Sequence, residues 1–415
     1  MKILLLGFAL WSCAGIFAGE YFPPVPGKTD IDRALARGAE YLTTNCLKNG
    51  EFVYRRNLTP RLRYRYKNNL LRHAGAVYAL GLVRDFWEKN PRLAPPSAPE
   101  RANAAIARAN AFLRQSIHPV SPNSEMLAIW SDEAKMDITA LPGSPNIAKL
   151  GAAGLGLLAL LAEKAPPGDP LPTARKIAAF IVSLQTPEGA FVSRVIAGKD
   201  DDEEFDSLYY PGEAMLGLLR LYARDGDARW LAAVTLGMRH LARSRRAAGS
   251  YPPDHWALLA SAALWKLRTR WEGQDCGSGL TVADLCGHAA EVSAAMLAEQ
   301  WTIPSLPGEF GCFRIGGLTC PTATRVEGLM AAYEFLPVLP YGNLRERLKH
   351  ACGHAAGFLL KAQVTAGSLC GGIPRSSTDD VLRHAPAERR RAGEIRIDYV
   401  QHTLAGLLAF RRAAR

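Results

Sequence analysis

With 415 residues, 48% hydrophobic and 21% charged, the chain has the composition of a globular protein with a large core, which excludes a disordered or fibrous polymer. Its 50 basic and 39 acidic residues leave a net charge of +11, which suits an anionic partner (an acidic glycan, a phospholipid surface or a nucleic acid) or serves solubility alone. The length would allow two or three domains, although a closed toroid reaches this size as one.

Met1–Gly19 reads as an export signal: Lys2, the apolar run Ile3–Trp11, then small residues, with cleavage after Ala18 as one reading. The run is too short to span a bilayer, and no later segment reads as a transmembrane helix. Leu10-Trp11-Ser12-Cys13 also resembles a bacterial lipoprotein box, with Trp11 an awkward fit, so acylation of Cys13 and membrane attachment through it is the alternative. Seven cysteines follow: Cys46, Cys276, Cys286, Cys312, Cys320, Cys352 and Cys370. In an exported chain they could form disulfides with one left over. Residues 20–29 are Pro-rich and read as a linker before a single domain over 30–415.

From there, helical patterns of two kinds alternate. Asp30–Cys46, Glu100–Gln115, Pro172–Gln185, Ala228–Arg243, Val282–Gln300 and Leu344–Gln363 are amphipathic with a charged face. Leu70–Trp87, Ile147–Glu163, Pro211–Tyr222, Asp254–Leu267, Thr324–Leu336 and Ile397–Arg412 are apolar and rich in Gly and Ala. Helices that bury one face belong outside, and helices that bury most faces belong inside. Little reads as strand. Six such hairpins closing on themselves make an all-α (α/α)6 toroid.

The connections carry an internal repeat: Cys46-Leu-Lys-Asn-Gly-Glu-Phe52, Gln185-Thr-Pro-Glu-Gly-Ala-Phe191 and Gln363-Val-Thr-Ala-Gly-Ser-Leu369. The glycine lets the chain reverse at a helix end, and the apolar residue anchors it. This spacing resembles the Gln–Gly–aromatic repeats of terpenoid cyclases and related α/α toroids. The Pro211-Gly-Glu-Ala214 helix start is similar to inner-helix starts in six-hairpin glycosidases and glycan epimerases. These resemblances imply the toroid fold and a carbohydrate-active enzyme.

The central stretch is Asp206–Tyr222, where a polar, aromatic segment feeds a buried helix. Pro211 suits the first helical position, and Glu213 falls in the first turn. If the inner helices are parallel, their starts meet at one mouth. Those starts carry Arg72 and His73; Asp137 before the second; Asp206, Tyr209, Tyr210 and Glu213; Asp254, His255 and Trp256; Arg325 and Glu327; and Arg396, Asp398, Tyr399 and His402. Glu213 and Asp398 are the acid/base candidates, with His402 and Tyr210 as proton carriers. Arg72, Arg325 and Arg396 suit a carboxylate clamp, and Tyr209, Tyr210 and Trp256 suit stacking on sugar faces. Each also has a structural role open to it: Asp254 as a helix cap, Glu213 and Glu327 as partners of the helix dipole, Arg325 and Arg396 in ion pairs, and His73 in the core.

Three other stretches bear on ligands. Asp200–Glu204 reads as a solvated loop, with Ca²⁺ binding as the minor alternative; it lacks the spacing of the terpenoid-cyclase Asp motif. Cys286-Gly-His288 and Cys352-Gly-His354 offer two Cys and two His, and lanthionine-synthesising cyclases hold zinc with such residues. Here they lie on outer helices, so a disulfide or two buried thiols is the expectation, with no metal and no cofactor. Arg61–Tyr66 mixes bases and aromatics as nucleic-acid binders do, but export argues for a glycan or anionic lipid and against nucleic acid. Arg383–Arg396 is a basic stretch expected over the mouth.

The reading is a secreted or lipid-anchored toroid, in the periplasm or cell envelope, acting on an acidic carbohydrate or envelope polymer. Hydrolysis, elimination and epimerisation by acid/base chemistry all remain open. A non-catalytic glycan- or peptide-binding toroid and a zinc-dependent toroid enzyme are the alternatives.

Overall fold

The computed structural model describes residues 25–59, 68–132, 146–199, 205–273, 278–301, 309–314, 316–377 and 386–413. The leader with Cys13, the stretch 60–67, Asp137, the acidic run 200–204, Cys276 and the start of the basic stretch at 383 lie outside the described residues.

Twelve long helices form in the expected alternation. The outer ones are α1 (Lys28–Thr44), α3 (Ala98–Arg114), α5 (Leu171–Ser183), α7 (Ala228–Ala248), α9 (Val282–Ala298) and α11 (Val338–Ala362). The inner ones are α2 (Leu70–Lys89), α4 (Leu150–Ala162), α6 (Tyr210–Asp225), α8 (His255–Trp265), α10 (Thr319–Phe335) and α13 (Ile397–Ala413). Each inner helix packs on the next, and α13 packs back on α2, so the inner ring closes. Arg411 pairs with Asp32 at 2.8 Å across the closure, tying the last helix to the first.

The inner ring is tight because each of its interfaces has a glycine at the contact. A Cβ on Gly154 of α4 would lie 2.4 Å from the Glu213 carbonyl oxygen, and one on Gly217 of α6 would lie 2.5 Å from the Gly154 oxygen. Gly81, Gly212, Gly328, Gly406 and Gly75 play the same part at the other five contacts. Side chains there would hold the helices apart, and the helices could not close over a narrow axis.

Most of the connections entering the inner helices are long (that into α8 is the short one), and they carry the strands. β2 (Ile117–Pro119), β3 (Leu127–Asp132), β4 (Asn146–Lys149) and β5 (Arg194–Ile196) form an antiparallel sheet in that order, with Trp130 opposite Ala148 and Ile147 opposite Ile196. β1 (Arg55–Asn57) pairs with β6 (Glu394–Arg396). Several boundaries therefore differ from expectation, among them the start of α11, at Val338 ahead of Leu344, and the end of α7, at Ala248 beyond Arg243. Ile147–Lys149 pair as strand before α4 begins, a choice that a short apolar run leaves ambiguous in sequence. Helix α10 starts at Thr319, ahead of Thr324, because Thr322 returns its hydroxyl to the Leu318 carbonyl and Pro321 fits the first turn. The described part of the basic stretch is the short helix α12 (Pro386–Ala392) running into β6.

The turn repeat is real and larger than its sequence trace. Leu47, Thr186, Trp301 and Val364 each donate a backbone N–H to Glu51, Ala190, Cys312 and Gly372 respectively. The preceding Gln185, Gln300 and Gln363 each donate Nε2 to a carbonyl of the next outer helix: Ala233 at 2.9 Å, Ala351 at 2.9 Å and Ala34 at 3.0 Å. Cys46 sets its thiol towards Ala105 in the same way. The glycine of each turn, Gly50, Gly189, Gly311 or Gly371, has positive φ and abuts the backbone of that next helix. In the last turn the working pair is thus Gly371 and the buried Ile373, in place of the expected Gly367 and Leu369. The turn after α9 was not legible in sequence at all.

Candidate active site

The start of α6 has the expected form. Tyr209 occupies the cap position, Pro211 the first turn, and Glu213 is buried one turn in. Its Oε2 has no hydrogen-bond partner, and a Cβ on Gly151 would lie 2.0 Å from that atom. Burial, then the charge of Asp254, pushes the Glu213 carboxyl up to about 8 against the pull of Arg72. Glu213 is therefore a neutral acid at pH 7. Tyr210 is half-buried beside Phe205, with ring centroids 6.0 Å apart. Asp206 is exposed and accepts from the Ser193 hydroxyl at 3.3 Å, at the edge of the mouth.

Helix α8 begins with a network that reaches the outer layer. Asp254 caps it by accepting from the Ala257 N–H at 3.0 Å and is held by Arg245 of α7 at 2.6 Å. Arg245 also meets Nε2 of His288 on α9 at 3.0 Å. This fixes His255, the first residue of α8, over the axis of the ring. Both His255 ring nitrogens are buried without partners, and burial followed by His402 and Arg325 holds its pKa well below the ordinary histidine value. His255 is a neutral imidazole.

Facing it is His402 of α13, with ring centroids 5.1 Å apart and planes at 81°. Nδ1 of His402 lies 2.9 Å from Oε2 of Glu327 on α10. With Glu327 ionised, Nδ1 donates that bond, which fixes the tautomer and leaves Nε2 as the basic nitrogen. Tyr209 packs its ring edge-on to His255 at 5.2 Å. Among the described residues, His255, Glu327 and His402 are the one group of three or more side chains whose ligand atoms lie within 4.8 Å of one another. Two imidazoles and a carboxylate also suit a divalent cation. The two Cys-Gly-His repeats form no such group among the described residues: Cys286 and Cys352 are buried free thiols, His288 meets Arg245, and His354 meets His350 at 3.3 Å.

Around this floor stand ion pairs. Asp398 accepts from Arg396 at 2.9 Å and 2.5 Å and pairs with Arg72 at 3.2 Å. Burial alone would raise its pKa, but the two guanidiniums outweigh burial and hold the carboxyl below its ordinary value. Arg72 also bonds the Tyr54 hydroxyl, and Arg396 lies over the Tyr399 ring at 4.5 Å while the Tyr399 hydroxyl donates to Glu394. Arg325 pairs with Glu299 at 2.7 Å. Asp398 is thus an ionised carboxylate tied to two guanidiniums, whereas Glu213 is buried without a cation partner.

Two other residues lie away from the mouth. His73 turns outward, donates from Nε2 to the Ala109 carbonyl of α3 at 2.9 Å, and sits between Phe52 and Phe112. Burial lowers its pKa to about 4, so it is a neutral core residue. Trp256 is buried beneath the site, with ring centroids 6.4 Å from Tyr78 and 6.0 Å from His402. It plugs the axis and offers no face for stacking.

No known protein family matches the sequence, and no curated protein matches it. Solved structures do. A sugar epimerase from a ruminal bacterium superposes with a TM-score of 0.63 at 11% identity, covering 94% of this chain and 99% of the other. Cellobiose 2-epimerase from Bacillus thermoamylovorans gives 0.60 at 11% identity over 90% and 96%. A cellulase of C. cellulolyticum gives 0.58 at 11% identity over 93% and 99%. The fold is the (α/α)6 toroid.

The toroid draws in residues that the sequence reading missed. Tyr54 reaches Arg72 from the first long connection, just past the turn anchored by Phe52. Glu299 and Arg245 come from the ends of outer helices. Cys320 lies among Arg72, Arg325, Arg396 and Asp398, and burial pushes its thiol up to about 12, so it stays protonated. Tyr54 alone had a signal: it follows the repeat at the point where the chain must enter the mouth.

Proposed function

We propose that this protein is a carbohydrate-active enzyme that moves a proton at a sugar carbon next to a carbonyl, as an epimerase or isomerase does. The observation that carries the reading is the facing pair His255 and His402, at 5.1 Å between centroids, with Glu327 on the far nitrogen of His402. One imidazole takes the C–H proton; the electron pair moves into an enediolate, and the carbonyl oxygen takes up the negative charge. In an epimerisation the opposite face is protonated by the other imidazole, which must enter the cycle as an imidazolium carrying a proton from solvent and leaves it neutral; in an isomerisation the first imidazole, now an imidazolium, returns its own proton to the neighbouring carbon. Arg72 and Arg325 are the cations placed for the developing oxyanion or for a substrate carboxylate. Hydrolysis asks for two carboxyl groups with separate acid and base duties. Asp398 is spent on two arginines and Glu213 is sealed against Gly151, which favours the imidazole pair. The sugar epimerase and cellobiose 2-epimerase among the similar structures support the same class.

The substrate we infer is an acidic sugar or envelope glycan, on the strength of the net charge of +11 and the arginines of the mouth. The protein is exported in this reading, supported by Lys2 and the apolar run Ile3–Trp11. The test is incubation with reducing sugars and uronates in D2O. Deuterium should enter at the carbon beside the carbonyl, and His255→Asn and His402→Gln should each lower exchange by roughly 10²–10⁴-fold. Glycan cleavage without deuterium incorporation would replace this reading with a hydrolase.

A further inference from the structure

At the end of the ring opposite the mouth is a cavity of ≈ 830 Å³, within the size range of ligand pockets. All six inner helices wall it, with Leu82, Leu158, Leu219, Leu259, Met330 and Leu408 each contributing from a different one. Glu327 and Tyr78 also line it, and the Tyr78 ring lies 6.4 Å from that of Trp256. The rim is cationic. Lys266 is matched by Glu334 at 2.9 Å, Asp85 by Arg84 at 2.7 Å, and Arg345 is turned to the Tyr333 and Leu336 carbonyls. Arg220, Arg412, Lys89 and Lys349 have no acid partner among the described residues. Arg220 and Arg412, on α6 and α13, are the two guanidiniums among these four, and both are exposed at the lining of the cavity.

Helix dipoles favour cations at these C-terminal ends. They do not account for a hollow apolar chamber beneath those cations. We propose that this chamber binds a single-chain amphiphile with a carboxylate head, its alkyl chain between the six inner helices and its head on Arg220 and Arg412. Apolar walls take the chain by the hydrophobic effect, and a rim guanidinium takes the carboxylate by charge-assisted bonds. The assignment does not rest on the reaction proposed at the mouth, although Glu327, which holds His402, also lines the chamber.

Dodecanoate, titrated below its micelle-forming concentration into the full chain and followed by calorimetry, should saturate at one molecule per chain. Dodecanol, lacking the charge, and hexanoate, lacking the chain length, should each bind at least about tenfold more weakly. Arg220 and Arg412 are exposed, so Arg220→Glu with Arg412→Glu should keep the helical circular dichroism while lowering dodecanoate affinity about tenfold or more. The milder pair Arg220→Gln and Arg412→Gln should lower it in the same direction. Absence of saturable dodecanoate binding, equal binding of dodecanol, or wild-type affinity in the folded double variants would overturn the proposal.

Discussion

Glu213 and His255 are neighbours in function and opposites in charge linkage. Glu213 keeps its proton to about pH 8 in the fold, whereas an ordinary glutamate loses it near 4.5. Between those values the folded chain holds a proton that the unfolded chain has released. The stability contributed by the neutral acid is therefore complete below pH 4.5 and is lost as pH rises to 8. Glu213→Gln removes this dependence. Relative to wild type it should gain on the order of a few kcal/mol between the two ends of that window, read by urea unfolding at each pH. A difference that does not change with pH would mean that Glu213 is ionised. His255 has the reverse sign: its pKa is depressed below 6.5, so its contribution is lost as pH falls below that value. The Glu213→Gln comparison separates the two, because His255 is common to both chains.

The helices show why some of this was legible. A helix buried on one side writes its period into the sequence, so the outer set could be read, and the inner set stood out by lacking a polar face. The price of an inner helix buried all round is that its rotation cannot be read. His73 on α2 and Trp256 on α8 both belong to helix starts, yet one faces the outer layer and the other the axis. The turn repeat misled once for a related reason. Gly367 has the expected spacing from Gln363, but extra residues move the functional glycine to Gly371, and backbone contact with Arg37 identifies it. At the inner contacts the glycines are a matter of distance. Gly154→Ala should cost about 1–3 kcal/mol by overpacking α4 against α6. Gly168→Ala, with open space around the new Cβ, should change stability little. Equal effects of the two in urea unfolding would mean that the ring has slack.

At the scale of the molecule, the two ends of the toroid differ. The long connections that carry the small sheets lie on the side of the inner-helix starts, with His255 and His402, while the cationic chamber opens among the inner-helix C-terminal halves. No described helix is long and apolar enough to cross a membrane. Export predicts that cell fractionation finds the protein outside the cytoplasm. Acylation predicts that Cys13→Ala releases it from membranes, and cleavage after Ala18 predicts that it does not. A cytoplasmic protein retaining Met1 would remove the export reading and, with it, the argument for an envelope substrate.

The sequence by itself determined twelve helices, their alternation and the polar residues at the inner-helix starts, because burial on one face or on all faces is a local pattern. It also determined that α6 would carry a buried acid behind two tyrosines. Only closure of the ring decided which polar groups meet. Glu327 and His402 are 75 positions apart, and Arg72 reaches Asp398 only because the last inner helix lies against the first. Asp254 is tied by an arginine from the outer layer, which no inner-helix pattern announces. Charge pairing in a buried mouth depends on rotation and distance across the axis, and those exist only once the six inner helices are packed together.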